Sequence, residues 1–264
     1  MKFVMLDMNA DVAILTLVHA GGNRINFQMR QEIFEALQMV ASSQVRVLLV
    51  KGSGNDFCLG GDIRDWPGES SANLRPRIEV YAKAIDLLEN LAIPTIAVVQ
   101  GGCMGGGFEL ALGCDLIIAS TSARFMFPEA LLGIMTLQGG VYQLAERIGR
   151  NKAIELVMLS TEITASQMAN WNVVNKVVDD AELEATSTDL ANRLVAGPVQ
   201  AYANTKKLMQ IWRTGGVLAA RAALYNVSMP LFDTGDVQNA LNEAVEALSL
   251  GRPVPRASFP NNEP

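Results

Sequence analysis

Glu109 follows a glycine-rich run, Gly101-Gly102-Cys103-Met104-Gly105-Gly106-Gly107-Phe108. Three consecutive glycines let a substrate approach the backbone with no Cβ in the way. A helix that begins there aims free N–H groups and a partial positive charge at whatever occupies the gap. Glu109 falls in its first turn, so one segment can supply both an oxyanion site and a carboxylate acid/base. A second glycine site is Cys58-Leu59-Gly60-Gly61-Asp62-Ile63. An oxyanion hole normally uses two donors, and two loops can supply one each. Glu129, in Phe127-Pro128-Glu129, lies 20 residues after Glu109. A helix out and a strand back can return the chain to the same pocket, and two carboxylates around one water form a workable acid/base pair. Each feature also has a plain structural account: a tight strand-to-helix turn, an ordinary GGD turn, a surface glutamate. The glycines lie too close together for a dinucleotide fingerprint, and no Lys-Ser/Thr follows them as in a phosphate-binding loop.

The elements around these residues are legible from hydrophobic periodicity. Residues 12–18, 45–50, 95–99 and 115–119 read as short buried strands. Gln28 to Ser42 has helical spacing, with Ile33, Leu37 and Val40 on one side. Residues 66–76 form the most polar stretch and read as a mobile loop, after which Ile78 to Leu91 returns to helix. The alternation of strand and helix to about Asp180 predicts an α/β fold with parallel sheet. Beyond it, residues 183–195, 199–213, 215–228 and 236–249 read as helices, and the proline-rich tail from Gly251 as extended or disordered. Gly197-Pro198 punctuates the chain, so the expected division is a core over 1–198 and a helical region over 199–264.

Composition narrows the function. The chain of 264 residues carries 21 Lys+Arg against 27 Asp+Glu, a net charge of −6 with no basic stripe, which argues against nucleic acid. Its mean hydropathy of +0.21 is slightly apolar, as expected where subunit surface is hidden. Cys58, Cys103 and Cys114 lack paired spacing and read as reduced thiols of a cytoplasmic protein. We find no signal-peptide pattern and no apolar run long enough to span a membrane. His19 is the only histidine, which removes most triad and multi-histidine metal schemes, so no metal is expected.

Taken together and in order, these stretches resemble the enoyl-CoA hydratase/isomerase (crotonase) superfamily from about residue 10 to 250. The resemblance is carried by Phe57-Cys58-Leu59-Gly60-Gly61-Asp62-Ile63, Pro94 to Gly101, Gly105 to Asp115, and Phe127-Pro128-Glu129-Ala130-Leu131-Leu132-Gly133-Ile134. It implies a spiral of ββα units with a helical C-terminal region that builds homotrimers, two of which stack as a hexamer. It implies an acyl-CoA thioester substrate, with coenzyme A part of the substrate and no other cofactor. The enolate oxygen would rest between the N–H groups of Gly61 and Gly106. Leu59, Asp62, Ile63 and Arg64 would contact substrate, Arg64 standing where many members place a lysine near the phosphates. Glu109 and Glu129 fall on the two hydratase glutamates. Family isomerases commonly keep only the second, so the pair favours a hydratase. Double-bond isomerase, carbon–carbon lyase or decarboxylase, acyl carrier protein thioesters, and a silent scaffold or RNA-binding member stand as alternatives. The chain departs from the family pattern at Asn26-Phe27-Gln28, Met135-Thr136-Leu137 and Leu248 to Pro253, which bear on acyl specificity and coenzyme contacts.

Overall fold

Short runs rich in valine, isoleucine and leucine build nine strands, described here from a computed structural model covering residues 1–257 and 259. They are β1 Val4–Asn9, β2 Val12–Leu17, β3 Val47–Gly52, β4 Thr95–Val99, β5 Gly102–Met104, β6 Leu116–Ser120, β7 Arg124–Met126, β8 Ile163–Thr164 and β9 Lys176–Val178. The helices are α1 Phe27–Ala41, α2 Ser71–Glu89, α3 Gly106–Leu112, α4 Gly140–Ile148, α5 Arg150–Leu159, α6 Ala165–Asn170, α7 Leu183–Val195, α8 Val199–Ser228 and α9 Gly235–Ser249.

The large sheet has the order β1-β2-β3-β4-β6-β9, and a small sheet has the order β5-β7-β8. From β2 to β9 the large sheet is parallel, as expected, but β1 pairs antiparallel with β2 and forms an edge that periodicity did not reveal. Its central strands β3, β4 and β6 are covered on both faces, which is why they read as continuous apolar runs rather than alternating ones. Leu48, Val50, Ala97, Val99, Ile117 and Ala119 face the main core. Their neighbours Val47, Leu49, Ile96, Val98 and Ile118 face a second cluster capped by Leu183 and Ala191 of α7. Two successive turns of chain repeat one plan. Strand β4 enters the large sheet, β5 the small one, and α3 follows; β6 and β7 repeat this before α4.

One expectation needs correction. Helix α2 starts at Ser71, not near Ile78, so half of the polar stretch over 66–76 is helical. Ser70 caps it by accepting from the Asn73 N–H, and Pro76 sits inside the helix, where its presence hid the true start. The helices expected over 199–213 and 215–228 are present as two helical stretches of α8, divided by a kink at Gly216, whose backbone is non-helical. That region is tied to the core by Lys206, which meets Asp115 at 2.7 Å, and by Arg213, which meets Glu89 at 2.7 Å. Part of the tail from Gly251 lies outside the described residues. Among the described residues, no helix is long and apolar enough to cross a membrane.

Candidate active site

The two glycine segments are brought together by strand pairing. Cys58 and Cys103 form a parallel bridge, with the Cys58 N–H donating to the Gly102 carbonyl at 3.0 Å and the Met104 N–H to the Cys58 carbonyl at 2.8 Å. A second bridge joins Ile25 to Gly61. Buried Asn23 donates its amide to the carbonyls of Ser53, Asp56 and Phe57 and so shapes the loop leading into Gly60-Gly61. The outcome is close approach of the two candidate donors: the Gly61 nitrogen lies 3.9 Å from the point where a Cβ on Gly106 would stand.

Gly106 opens α3. Its N-cap is Gly105, at φ 48° and ψ −125°, a conformation L side chains rarely adopt, and no side chain caps the helix. A Cβ on Gly105 would stand 2.7 Å from Glu129 Oε1, so this glycine also makes room for the second carboxylate. The hydroxyl of buried Tyr81, from α2, donates to the Gly106 carbonyl at 2.7 Å and steadies the first turn of α3. Glu109 follows in that turn and is 1% exposed. Its Oε1 accepts from the N–H groups of Gln138 at 2.8 Å and Gly140 at 2.9 Å, at the N-terminus of α4. Gly140 is demanded by contact, because a Cβ there would meet the Phe127 ring at 2.6 Å and Glu109 Cγ at 2.9 Å.

Burial raises the Glu109 carboxyl from its ordinary value to about 7, against the opposing pull of the Gly140 and Gln138 N–H groups. The Glu129 carboxylate adds a further upward push. Glu129, at the start of a 3-10 turn over Glu129–Leu132, is itself raised by burial, and its Oε2 is buried without a protein partner. Two carboxyl groups on one cavity, both raised by burial, can divide acid and base roles between them.

A cavity of about 250 Å³ holds Gly61, Gly106, Glu109 and Glu129 on one wall system, with Leu59 and Ile63 also lining it. Asp62 and Arg64 are not part of the lining. Their side chains pair with each other, Arg64 Nε donating to Asp62 Oδ1 at 2.8 Å, and this holds the Asp62 carboxyl below its usual range. Leu131, Leu132, Ile134 and Leu137 supply an apolar side. Sequence reading missed Arg24, Arg30, Trp66, Tyr81 and Gln138, all of which line the cavity. For Arg30 a signal existed: it falls on the same helical stripe as Ile33, Leu37 and Val40, where a charge is out of place. None of the three cysteines lines this cavity; all are buried thiols. Among the described residues, no group of three or more His, Cys, Asp or Glu is placed to hold a metal ion.

This geometry can be set beside known proteins. A family model described as Enoyl-CoA hydratase/isomerase matches residues 7–249. The short-chain-enoyl-CoA hydratase of Clostridium acetobutylicum is 29% identical over 246 residues, covering 92% of this chain and 94% of that one. The 1,2-epoxyphenylacetyl-CoA isomerase of Escherichia coli is 33% identical over 204 residues, covering 75% and 78%. Among solved structures, a Thermobifida fusca chain crystallised in complex with CoA superposes with a TM-score of 0.81 at 28% identity, covering 88% of this chain and 93% of that one. The two named relatives differ in reaction, one being a hydratase and the other an isomerase. With strands feeding two sheets in successive turns and a helical C-terminal region, the chain has the crotonase fold and belongs to the enoyl-CoA hydratase/isomerase family.

Proposed function

We propose that this protein is an enoyl-CoA hydratase, adding water reversibly across the 2,3 double bond of a 2-enoyl-CoA thioester. One observation carries the reading: Glu109 and Glu129 border the same cavity as the backbone of Gly61 and Gly106. In the proposed reaction the thioester oxygen sits between the N–H groups of Gly61 and Gly106. Water held by the two carboxyl groups attacks Cβ, and negative charge builds on the thioester oxygen. The two N–H groups and the N-terminus of α3 stabilise that charge in a site with little water, where such donors act most strongly. A proton reaches Cα from Glu129, and the carboxylate so formed recovers a proton from the attacking water through the pair. The reaction moves one water and one proton and calls for no redox or metal cofactor. The exposed Arg24 at the cavity mouth and the nearby Arg64 are the proposed partners of the coenzyme phosphates. The proposed assembly is a homotrimer or a hexamer built from two trimers.

Conversion of 2-enoyl-CoA esters, followed by loss of the conjugated thioester absorbance, tests the reading. Glu109→Gln and Glu129→Gln should each lower hydration kcat by about 10²-fold or more while thermal stability near pH 5 changes little. Near-normal hydration by either variant, or turnover of 3-enoyl but not 2-enoyl thioesters, would overturn it.

A further inference from the structure

Arg30, on α1, is a charge buried where the protein gives it no counterion. It is 3% exposed and lines the cavity. Its Nε and Nη1 are buried with no acceptor, and among the described residues no carboxylate oxygen comes within 4.0 Å of the guanidinium. The third nitrogen, Nη2, stands 3.5 Å from the point where a Cβ on Gly61 would be, beside the candidate oxyanion donor. The indole of Trp66 faces the same point, with Cζ2 at 3.5 Å, and its Nε1 is also buried without an acceptor. What holds the cation is aromatic: Arg30 lies 5.1 Å from the Phe27 ring centre and 5.6 Å from that of Trp66. A second guanidinium, Arg77, stacks on the other contact of Phe27 at 3.4 Å, which adds positive potential rather than neutralising it. Glu109 acts on the cation only from beyond contact distance and more weakly than burial opposes it, since its Oε1 is committed to the Gln138 and Gly140 N–H groups.

A buried cation without a partner is expensive to keep, and so are buried N–H donors without acceptors. Such a cluster is matched by an anion with flat, paired oxygens, which a guanidinium engages at two points. Depth decides which anion. On the proposed reading the coenzyme phosphates meet Arg24, exposed on the cavity lining, and Arg64, exposed outside it. Arg30 instead sits beside Gly61, where the acyl branch of the thioester begins. We propose that Arg30, assisted by the Trp66 indole N–H, is a specificity-determining residue that selects acyl-CoA thioesters whose acyl group carries a carboxylate. This rests on the thioester-binding reading of the cavity given above.

Binding of unreactive saturated pairs tests it without requiring catalysis. Isothermal titration would compare glutaryl-CoA with butyryl-CoA, and adipyl-CoA with pentanoyl-CoA. At least one carboxylated member should bind about 10- to 100-fold more tightly than its partner, the range of a charge-assisted hydrogen bond. Arg30→Met should collapse that ratio to within about threefold, and Arg30→Lys and Trp66→Phe should reduce it in part. The melting temperature of ligand-free Arg30→Met should hold or rise, since an unpaired buried charge is removed; a merely structural arginine would show a fall. Ratios near one for both pairs in the unmutated protein, or a ratio that survives Arg30→Met, would overturn the proposal. Turnover of glutaconyl-CoA and crotonyl-CoA then separates the two ideas. Hydration of crotonyl-CoA with no carboxylate preference rejects the Arg30 assignment alone. An Arg30-dependent preference with no hydration of either thioester rejects the hydratase reading and upholds the carboxylate site.

Discussion

Glu109 combines two demands that conflict. It lines the cavity yet is almost wholly buried, and burial opposes its charge. The raised carboxyl, at about 7, has a consequence for stability that can be measured. In the unfolded chain the group ionises near 4.5, so between these values folding favours the protonated form. The folded state is therefore at full stability with respect to this group below pH 4.5 and loses stability as pH rises toward 7, by on the order of 3 kcal/mol in all. Glutamine keeps a carbonyl to accept from Gln138 and Gly140 and never ionises. The melting temperature of Glu109→Gln should match that of the unmutated protein at pH 5 and exceed it at pH 8. Parallel melting curves across that range would show that Glu109 ionises as readily in the folded protein as outside it.

At the scale of elements, the site is a meeting of helix N-termini with loops. Helix α3 begins at Gly106 and α4 at Gly140; one presents its first turn to the cavity and the other grips Glu109. Helix α2 joins them through the Tyr81 hydroxyl on the Gly106 carbonyl. That bond sits outside the cavity chemistry but sets how the first turn of α3 is held. Tyr81→Phe should lower kcat by up to about tenfold with little change in KM, because about 1 kcal/mol of positioning is lost while the cavity shape is kept. A change confined to KM would place Tyr81 in substrate binding instead.

For the whole molecule, the question is what covers its apolar surface. Leu131, Leu132, Met135 and Leu137 are exposed beside the cavity, and Val217, Leu218, Tyr225, Val245 and Leu248 are exposed on α8 and α9. Isolated exposed leucines are ordinary, but runs of them on neighbouring turns mark surface that associates. Sedimentation at micromolar concentration should give a trimer or hexamer rather than a monomer of 28.4 kDa. Deleting residues from 199 onward should leave insoluble protein, because the apolar helix faces and the ion pairs to Glu89 and Asp115 lose their partners. A soluble, monodisperse core over 1–198 would contradict this.

Much of the fold was legible because its signals are local. Strands buried on both faces announce themselves as apolar runs, and glycines before a glutamate announce a helix opening onto a gap. The same locality explains the misreadings. Pro76 obscured the start of α2, and β1 was overlooked because its outward residues face solvent and break the apolar run. By itself the sequence determined the central buried strands and most of the helices, and that Gly61, Gly106, Glu109 and Glu129 match a recognisable pattern. Only the tertiary structure decided that these four share one cavity, that Asp62 and Arg64 turn to each other, and that Arg30 is enclosed with no counterion. The physical reason is that burial is not a property of a residue or its neighbours in sequence. It arises when distant segments close around a group, and the cost of enclosing Glu109 or Arg30 is set by what those segments bring to meet it.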